Sequence, residues 1–524
     1  MSRLARCRLA RGRGLGVSRE RAREGAAVAI PAVLALGLCC YEIATRSLGF
    51  DEAATVTIAS QHGSALWSAI AHDGGNMSGY YLGLHVLIAW FGNGAFVVRF
   101  PSAIATSLGV AAVGAFAIRV FDRRIALACG LLAAVSLPIV FWGQSGRGYA
   151  AMVALIGGSY LAFVVLVDRW LEGRPIRWAW LAYASSTALA MCMSFVAVLV
   201  VPAQLVSLAL RRRALRPVLS ALAAAAICCV PLLVLALRRG SGQLFWVPRP
   251  SLSGTLQVIE TLTSSALRPS FHLTATSIPL LGLTVVLIGA VTITAVRLPP
   301  RQGDRPTRWS LVLLLGWLYV PIVLALLESF IGQSIFVPRN LLMCLPAVAL
   351  TLGLGICDRT LPSAVAVSAL AALIVLRALQ LAPSYGASPE DWRAATRSVN
   401  ARAQTGDCIA FYPSDGRMAF KYYLGSEEHA SRPLLPAVPW GELKPYVEDY
   451  ATLSSQQLSR VASGCNRLWL VSSHEGQRTG PSGSRADYAR YLRLRRALGA
   501  QFSVREPAIR FGYAAPVRVQ LFAR

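Results

Sequence analysis

The apolar residues of this chain are gathered into blocks of roughly twenty, divided by short connectors that carry arginine. About twenty apolar residues in a helix cross the hydrocarbon core of a bilayer. Within that core every backbone amide must be satisfied inside its own segment, so the blocks must be helices. A soluble protein has about a quarter of its residues charged. Here 55% of the 524 residues are hydrophobic and 15% are charged, which excludes a water-soluble globule. The pattern predicts an all-α polytopic membrane protein with about eleven transmembrane helices and a small C-terminal α/β domain.

The predicted spans are 26–46, 101–118, 125–142, 150–167, 178–193, 195–210, 217–237, 278–296, 309–327, 341–357 and 362–381. The apolar segment 80–91 is only about a dozen residues long and contains His85, which suits an interfacial or re-entrant helix. If it does not cross, every strongly basic connector falls on one side, among them Arg119 with Arg123 and Arg124, and Arg211 to Arg213. Lys and Arg mark the cytoplasmic side. The eight arginines of residues 1–24 make that segment a cytoplasmic tail. Residues 25–383 then form the membrane module, with a first outer loop at 47–100. An odd number of spans leaves residues 384–524 outside the cell membrane.

The net charge of +26 does not call for nucleic acid. Most of it lies in connectors beside apolar blocks, and no basic stripe interleaved with aromatics is present. Nine of the eleven cysteines lie in the N-terminal tail or in spans, where they act as small hydrophobes. Cys408 and Cys465 lie in the C-terminal segment, where an oxidising compartment allows either a disulfide or two buried thiols. No Cys or His spacing suggests zinc. In the same segment 391–403 and 487–498 read as helices, and 408–412, 468–472 and 517–522 as strands.

Acidic groups at a membrane boundary are costly and mark function. Asp51 and Glu52 follow the first span, and His72 and Asp73 lie in the same loop. One carboxylate could serve as general base toward an acceptor hydroxyl. The plain alternative is solvated loop charge, with Asp51 capping a helix that begins near Ala53. Arg147 and Arg339 are isolated cations on the outer side, suited to phosphate by their planar fork. The alternative is snorkelling to lipid headgroups. Arg99 reads as a boundary residue ahead of the second span.

Several segments resemble, in order across about 300 residues, the GT-C-fold glycosyltransferases of protein O-mannosyltransferase and aminoarabinose-transferase type. Phe50-Asp51-Glu52-Ala53 looks like their first acidic motif. Asp73 to Met77, followed by Tyr80-Tyr81-Leu82 and His85, is similar to a segment with His-Pro-Pro and Tyr-Tyr-Leu. Arg99-Phe100-Pro101-Ser102-Ala103 resembles Arg-Leu-Pro-Ser-Ala. Gln144 to Tyr149 resembles Gln-Glu-Ala-Arg-x-Tyr. Pro338-Arg339-Asn340-Leu341-Leu342 resembles Pro-Arg-Tyr-Leu-Leu, and Asp391-Trp392-Arg393 opens a C-terminal domain common in bacterial members. The Pro-Pro is absent here, and Ser145 replaces the motif glutamate.

The resemblance implies transfer of a sugar from a polyprenyl-phosphate donor to a glycan, lipid or protein acceptor at the outer face, with inversion. Mannose is among the sugars it suggests. It implies Asp51 as base, Glu52 as its partner and Asp73 as a second acidic group. His72, Tyr80, Arg147, Tyr149 and Arg339 would bind substrate, the two arginines holding the donor phosphate. Some members use a divalent metal and others do not, so no cofactor is assigned. Two other readings are a transporter or flippase of lipid-linked saccharides, which would favour polar mid-span residues and repeated halves, and a non-catalytic assembly protein, for which the loop carboxylates would be dispensable.

Overall fold

A computed structural model describes residues 3–240, 247–265, 277–297, 306–358, 360–425, 431–435, 462–479 and 482–524, with the isolated positions 244, 437 and 456. Arg301 and Arg305, in the basic connector between the predicted spans 278–296 and 309–327, lie outside the described residues, as does part of the loop after the predicted span 217–237. Eight helical segments are long and apolar enough to cross a membrane. They lie in α1 (Arg3–Cys40), α5 (Ala95–Val120), α8 (Tyr149–Leu171), α11 (Leu215–Arg239), α13 (Ser277–Arg297), α14 (Arg308–Ile331), α15 (Leu345–Ile356, with the 3-10 turn Pro338–Cys344 before it) and α16 (Ser363–Leu381). Between the first two lie three short helices, α2 (Phe50–Ala59), α3 (Gly63–His72) and α4 (Ser78–Phe91), and α12 (Leu252–Leu262) lies between α11 and α13. The 14 residues of α4 fall short of a span, as its length in the sequence predicts.

Three of the eleven expected spans differ. The span at 125–142 is α6 (Arg123–Ala134) and α7 (Leu137–Gly143), bent by 62°. Pro138 stands in the first turn of α7, where it cannot extend the preceding ladder. The Leu132 carbonyl at this break accepts a hydrogen bond from the guanidinium of Arg377, which is 1% exposed. The spans at 178–193 and 195–210 are α9 (Arg177–Met193), of 17 residues, and a shorter apolar run containing α10 (Val201–Ser207). Ser194 is extended between them and Pro202 opens α10, so a 3-10 turn at Phe195–Val200 replaces regular helix. Counted by length and composition, the described residues hold eight spans, or nine with the bent pair as one. In the membrane core α5 packs between α1 and α8, and Trp317 stacks on Tyr160 at 3.7 Å.

After α16 come α17 (Trp392–Asn400), β1 (Cys408–Tyr412), α18 (Gly416–Leu424), β2 (Arg432–Leu435), β3 (Arg467–Ser472), α19 (Ser482–Gly499), β4 (Ser503–Val504), β5 (Ile509–Phe511) and β6 (Val517–Ala523). The sheet runs β2-β1-β3-β6-β4, with β5 also on β6. β1 is parallel to β2 and β3, whereas β6 is antiparallel to β3. Cys408 and Cys465 form a disulfide, so of the two readings open in the sequence the bridge holds.

Helix α2 is shared between the two parts of the chain. Its Ala53 and Ala54 are buried in one core with Trp392, Phe411, Phe420 and Trp469 of the sheet domain. The small side chains let α2 sit close against α18. Trp392 is fully buried in this core. Trp392→Ala is expected to cost about 3–5 kcal/mol, read as a lower thermal midpoint of the full chain in detergent and faster proteolysis of the sheet domain. An unchanged midpoint would contradict the shared core.

Candidate active site

The site begins with two neighbouring carboxylates on the first turn of α2. Successive helical residues point about 100° apart, so one can face the core while the next faces open space. Glu52 faces in. Arg99 on α5 grips it with two bonds, Nε to Oε1 at 2.9 Å and Nη2 to Oε2 at 2.7 Å. The amides of Gly146 and Gly49 donate to the same carboxylate at 2.7 and 3.2 Å. Arg99 spends its remaining donors on the carbonyls of Ile43, Arg46 and Ser47, at 2.9 to 3.1 Å. All five guanidinium N–H groups are thereby satisfied. Arg99 is 1% exposed, so it is a buried hub and not the boundary residue the sequence suggests. Burial opposes ionisation of Glu52, but Arg99 and the Gly146 amide outweigh it and hold the carboxyl below its ordinary value.

Gly146 sits where a Cβ would come within 2.5 Å of Val98, and this closeness lets its amide reach Glu52. The same turn delivers Arg147. Its Nη1 donates to the Thr55 hydroxyl at 3.0 Å and the Asp51 carbonyl at 3.3 Å. Its Nη2 lies 3.9 Å from Asp51 Oδ2, and Arg339 Nη1 donates to that oxygen at 3.0 Å. Three segments far apart in the sequence thus meet at Asp51, whose side chain keeps 48% of its surface. Burial raises the Asp51 carboxyl, while Arg147, Arg339 and His474 bring it down to about 2. The sign follows from that depression. The pairing supports the fold fully above the ordinary carboxylate value and is lost as pH falls toward 2.

Asp51 opens into a cavity of about 1490 Å³. One wall is apolar, with Phe195, Leu199, Leu324, Leu327 and Ile331. Another wall is polar and belongs to the sheet domain, with Glu390, His474, Glu475, Gln477 and Arg518. The segments that follow β1 and β3 at their carboxyl ends line this wall, the edge where open α/β sheets take ligands.

Among the residues expected from the sequence, Asp51, His72, Asp73, Arg147, Tyr149 and Arg339 line the cavity. Asp73 accepts the Tyr81 hydroxyl at 2.7 Å. Glu52 also borders the cavity, but its oxygens are taken by Arg99 and two amides, so its geometry is that of an anchor. Tyr80 corrects the expectation of a substrate contact. It is 5% exposed and outside the cavity lining, and its hydroxyl meets the Val98 carbonyl and Ser102. Ser102 in turn donates to the Arg147 carbonyl, so Tyr80 supports the turn behind Arg147. Asp51 does not cap its helix; Gly49 is the N-cap residue. Glu390 and His474 carry no signal in the sequence, because nothing in the order of residues ties them to a loop 340 or more positions earlier. Among the described residues no three His, Cys, Asp or Glu side chains converge as metal ligands.

Residues 73–235 match the family described as dolichyl-phosphate-mannose-protein mannosyltransferase. That stretch contains Asp73, Arg99 and Arg147 and leaves Asp51 and Arg339 outside. No curated protein sequence matches the chain. Among solved structures, ArnT from Cupriavidus metallidurans in the apo state is similar over 94% of this chain and 97% of its own, with 12% identity and a TM-score of 0.57. The same protein bound to undecaprenyl phosphate matches with 14% identity and a TM-score of 0.53, over the same shares. The archaeal oligosaccharyltransferase AglB from Archaeoglobus fulgidus, in complex with an inhibitory peptide and a dolichol-phosphate, is similar over 86% of this chain and 69% of its own, with 11% identity and a TM-score of 0.53. The chain therefore shares the GT-C fold of these solved structures, and its residues 73–235 carry the likeness to the mannosyltransferase family.

Removing one member of a buried ion pair strands the other. Arg99→Met is therefore expected to destabilise the chain by about 3–5 kcal/mol. Arg99→Met combined with Glu52→Gln should recover part of that loss, as measured by thermal unfolding in detergent. A double variant no more stable than Arg99→Met alone would contradict the pairing.

Proposed function

We propose that this chain transfers a sugar from a polyprenyl-phosphate donor to an acceptor hydroxyl at the extracytoplasmic face of the membrane. The observation that carries this reading is the half-exposed Asp51 carboxylate between Arg147 and Arg339, in a cavity whose lining has both apolar and polar parts. An apolar wall suits a polyprenyl chain, and two guanidiniums suit the phosphate that joins it to the sugar. Two of the similar structures are described with polyprenyl phosphates bound.

In this reading the donor phosphate takes Arg147 and Arg339 from Asp51. With its cations withdrawn, the carboxylate becomes a stronger base and accepts the proton of the acceptor hydroxyl. The acceptor oxygen attacks the anomeric carbon as the bond to the phosphate oxygen breaks. The electron pair leaves with the polyprenyl phosphate, whose charge the two guanidiniums stabilise. Attack and departure on opposite faces invert the anomeric centre. In the same reading Asp73, which accepts the Tyr81 hydroxyl, would accept a hydrogen bond from a sugar hydroxyl, and His72 and Tyr149, which line the same cavity, would contact the substrate. Mannose is the sugar that the matching family suggests.

The orientation has independent support. The basic ends of α5 and α8, at Arg119 and Arg169, are the ends far from the site. The disulfide-bearing domain is at the site end, as an oxidising face would favour.

The test is sugar transfer by the full chain in membranes supplied with polyprenyl-phosphate sugars. Asp51→Asn at matched expression is expected to lower turnover by about 10²–10⁴. Arg339→Gln is expected to lower turnover and weaken donor binding together. Full activity in Asp51→Asn would remove Asp51 from the mechanism.

A further inference from the structure

We propose that the sheet domain positions the reacting carboxylate, with Glu390 and His474 acting as a latch on the N-terminus of α2. The inference rests on the reading of Asp51 as base only for its catalytic consequence. The latch itself stands on geometry.

Helix α2 is gripped from two sides. From the membrane module Arg99 holds Glu52. From the other side the Glu390 carboxylate accepts the Phe50 amide at 2.7 Å and the Trp392 indole N–H at 2.9 Å. Phe50 is the first residue of α2, so its amide is one that the helix itself leaves without a partner. A carboxylate at this end also suits the helix dipole. Glu390 side-chain exposure is 14%, and its other oxygen lies 3.4 Å from His474 Nε2. The His474 Nδ1 meets the Ser473 hydroxyl at 2.9 Å, and its ring lies 5.3 Å from that of Phe50.

The loop bearing His474 is shaped for this contact. His474 has φ +51, a left-handed conformation uncommon for a residue with a side chain. Gly476 follows at φ +79, packed so tightly that a Cβ would run into the Ser484 carbonyl and the Tyr488 amide. The loop therefore rests on α19 and aims its imidazole at α2. Tyr423 of α18 adds a hydrogen bond from the Leu48 amide, and Ser388 accepts from the Ser47 amide. The helix and loop contacts of the sheet domain thus converge on Ser47, Leu48 and Phe50. Asp51 lies between the two grips, and its carboxylate direction depends on both.

Glu390 and His474 are positioning residues, and two readouts on the full-length protein test them. The first needs no activity. In Glu390→Ala and His474→Ala, hydrogen exchange at residues 50–55 should quicken by about tenfold to a hundredfold for Glu390 and less for His474, as loss of a charge-assisted hydrogen bond gives. Exchange in β1 should not change, which separates this from general unfolding. Glu390→Gln keeps a carbonyl acceptor for the Phe50 amide and should restore much of the protection. The second readout is transfer. The alanine variants should lose about tenfold to a hundredfold in kcat with donor KM within about twofold, because misplacement acts on the reacting group and not on lipid binding. Unchanged exchange at 50–55 in both variants overturns the latch. Quickened exchange with unchanged kcat overturns its catalytic role. A wild type that transfers no sugar overturns the functional reading and leaves the exchange result to decide the latch.

Discussion

A guanidinium and a carboxylate taken out of water together must satisfy one another and find further partners for every remaining donor and lone pair. Arg99 and Glu52 do this with two mutual bonds, three carbonyls and two amides. The carbonyls come from the chain just after α1 and the amides from Gly49 and Gly146. One buried pair therefore ties the end of α1, the start of α2, the start of α5 and the turn before α8 into a single knot. Such a pair is weak evidence for stability gained, but a strong constraint on geometry. Any displacement of α2 would open a charge that has no water to return to.

The neighbouring position inherits that constraint. Asp51 points roughly 100° from Glu52 around the helix, into the cavity and toward Arg147 and Arg339. The turn that gives Glu52 the Gly146 amide also delivers Arg147, so anchor and site are parts of one local fold. The sheet domain completes the arrangement by packing its tryptophans against Ala53 and Ala54 and by supplying the polar wall. The membrane module and the sheet domain are separate in sequence, yet the candidate site requires both.

Much of this was legible in the sequence. The apolar blocks predicted the spans because bilayer thickness fixes their length, and the short apolar runs predicted β1, β3 and β6. Where the blocks are broken by Pro138 or by Ser194 and Pro202, hydropathy alone counted a full span and missed a bend or a 3-10 turn. Asp51, Arg147 and Arg339 stood out because charge near a membrane is costly. Arg99 was misread because a cation at the edge of a span ordinarily faces headgroups, and only the fold brings Glu52 over it. Tyr80 was misread because helical phase turns its hydroxyl to Val98 and Ser102, while that of the adjacent Tyr81 meets Asp73. Glu390 and His474 carried no local signal, since their meaning depends on a contact made across the whole chain.

In the proposed reaction Asp51 and the donor phosphate compete for the same two guanidiniums. The measurement that tests it most directly is the affinity of the full-length chain for undecaprenyl phosphate, compared between wild type and Asp51→Asn. Tighter binding is expected in Asp51→Asn, because Arg147 and Arg339 no longer have to be drawn from a carboxylate. Equal or weaker binding in that variant would contradict it.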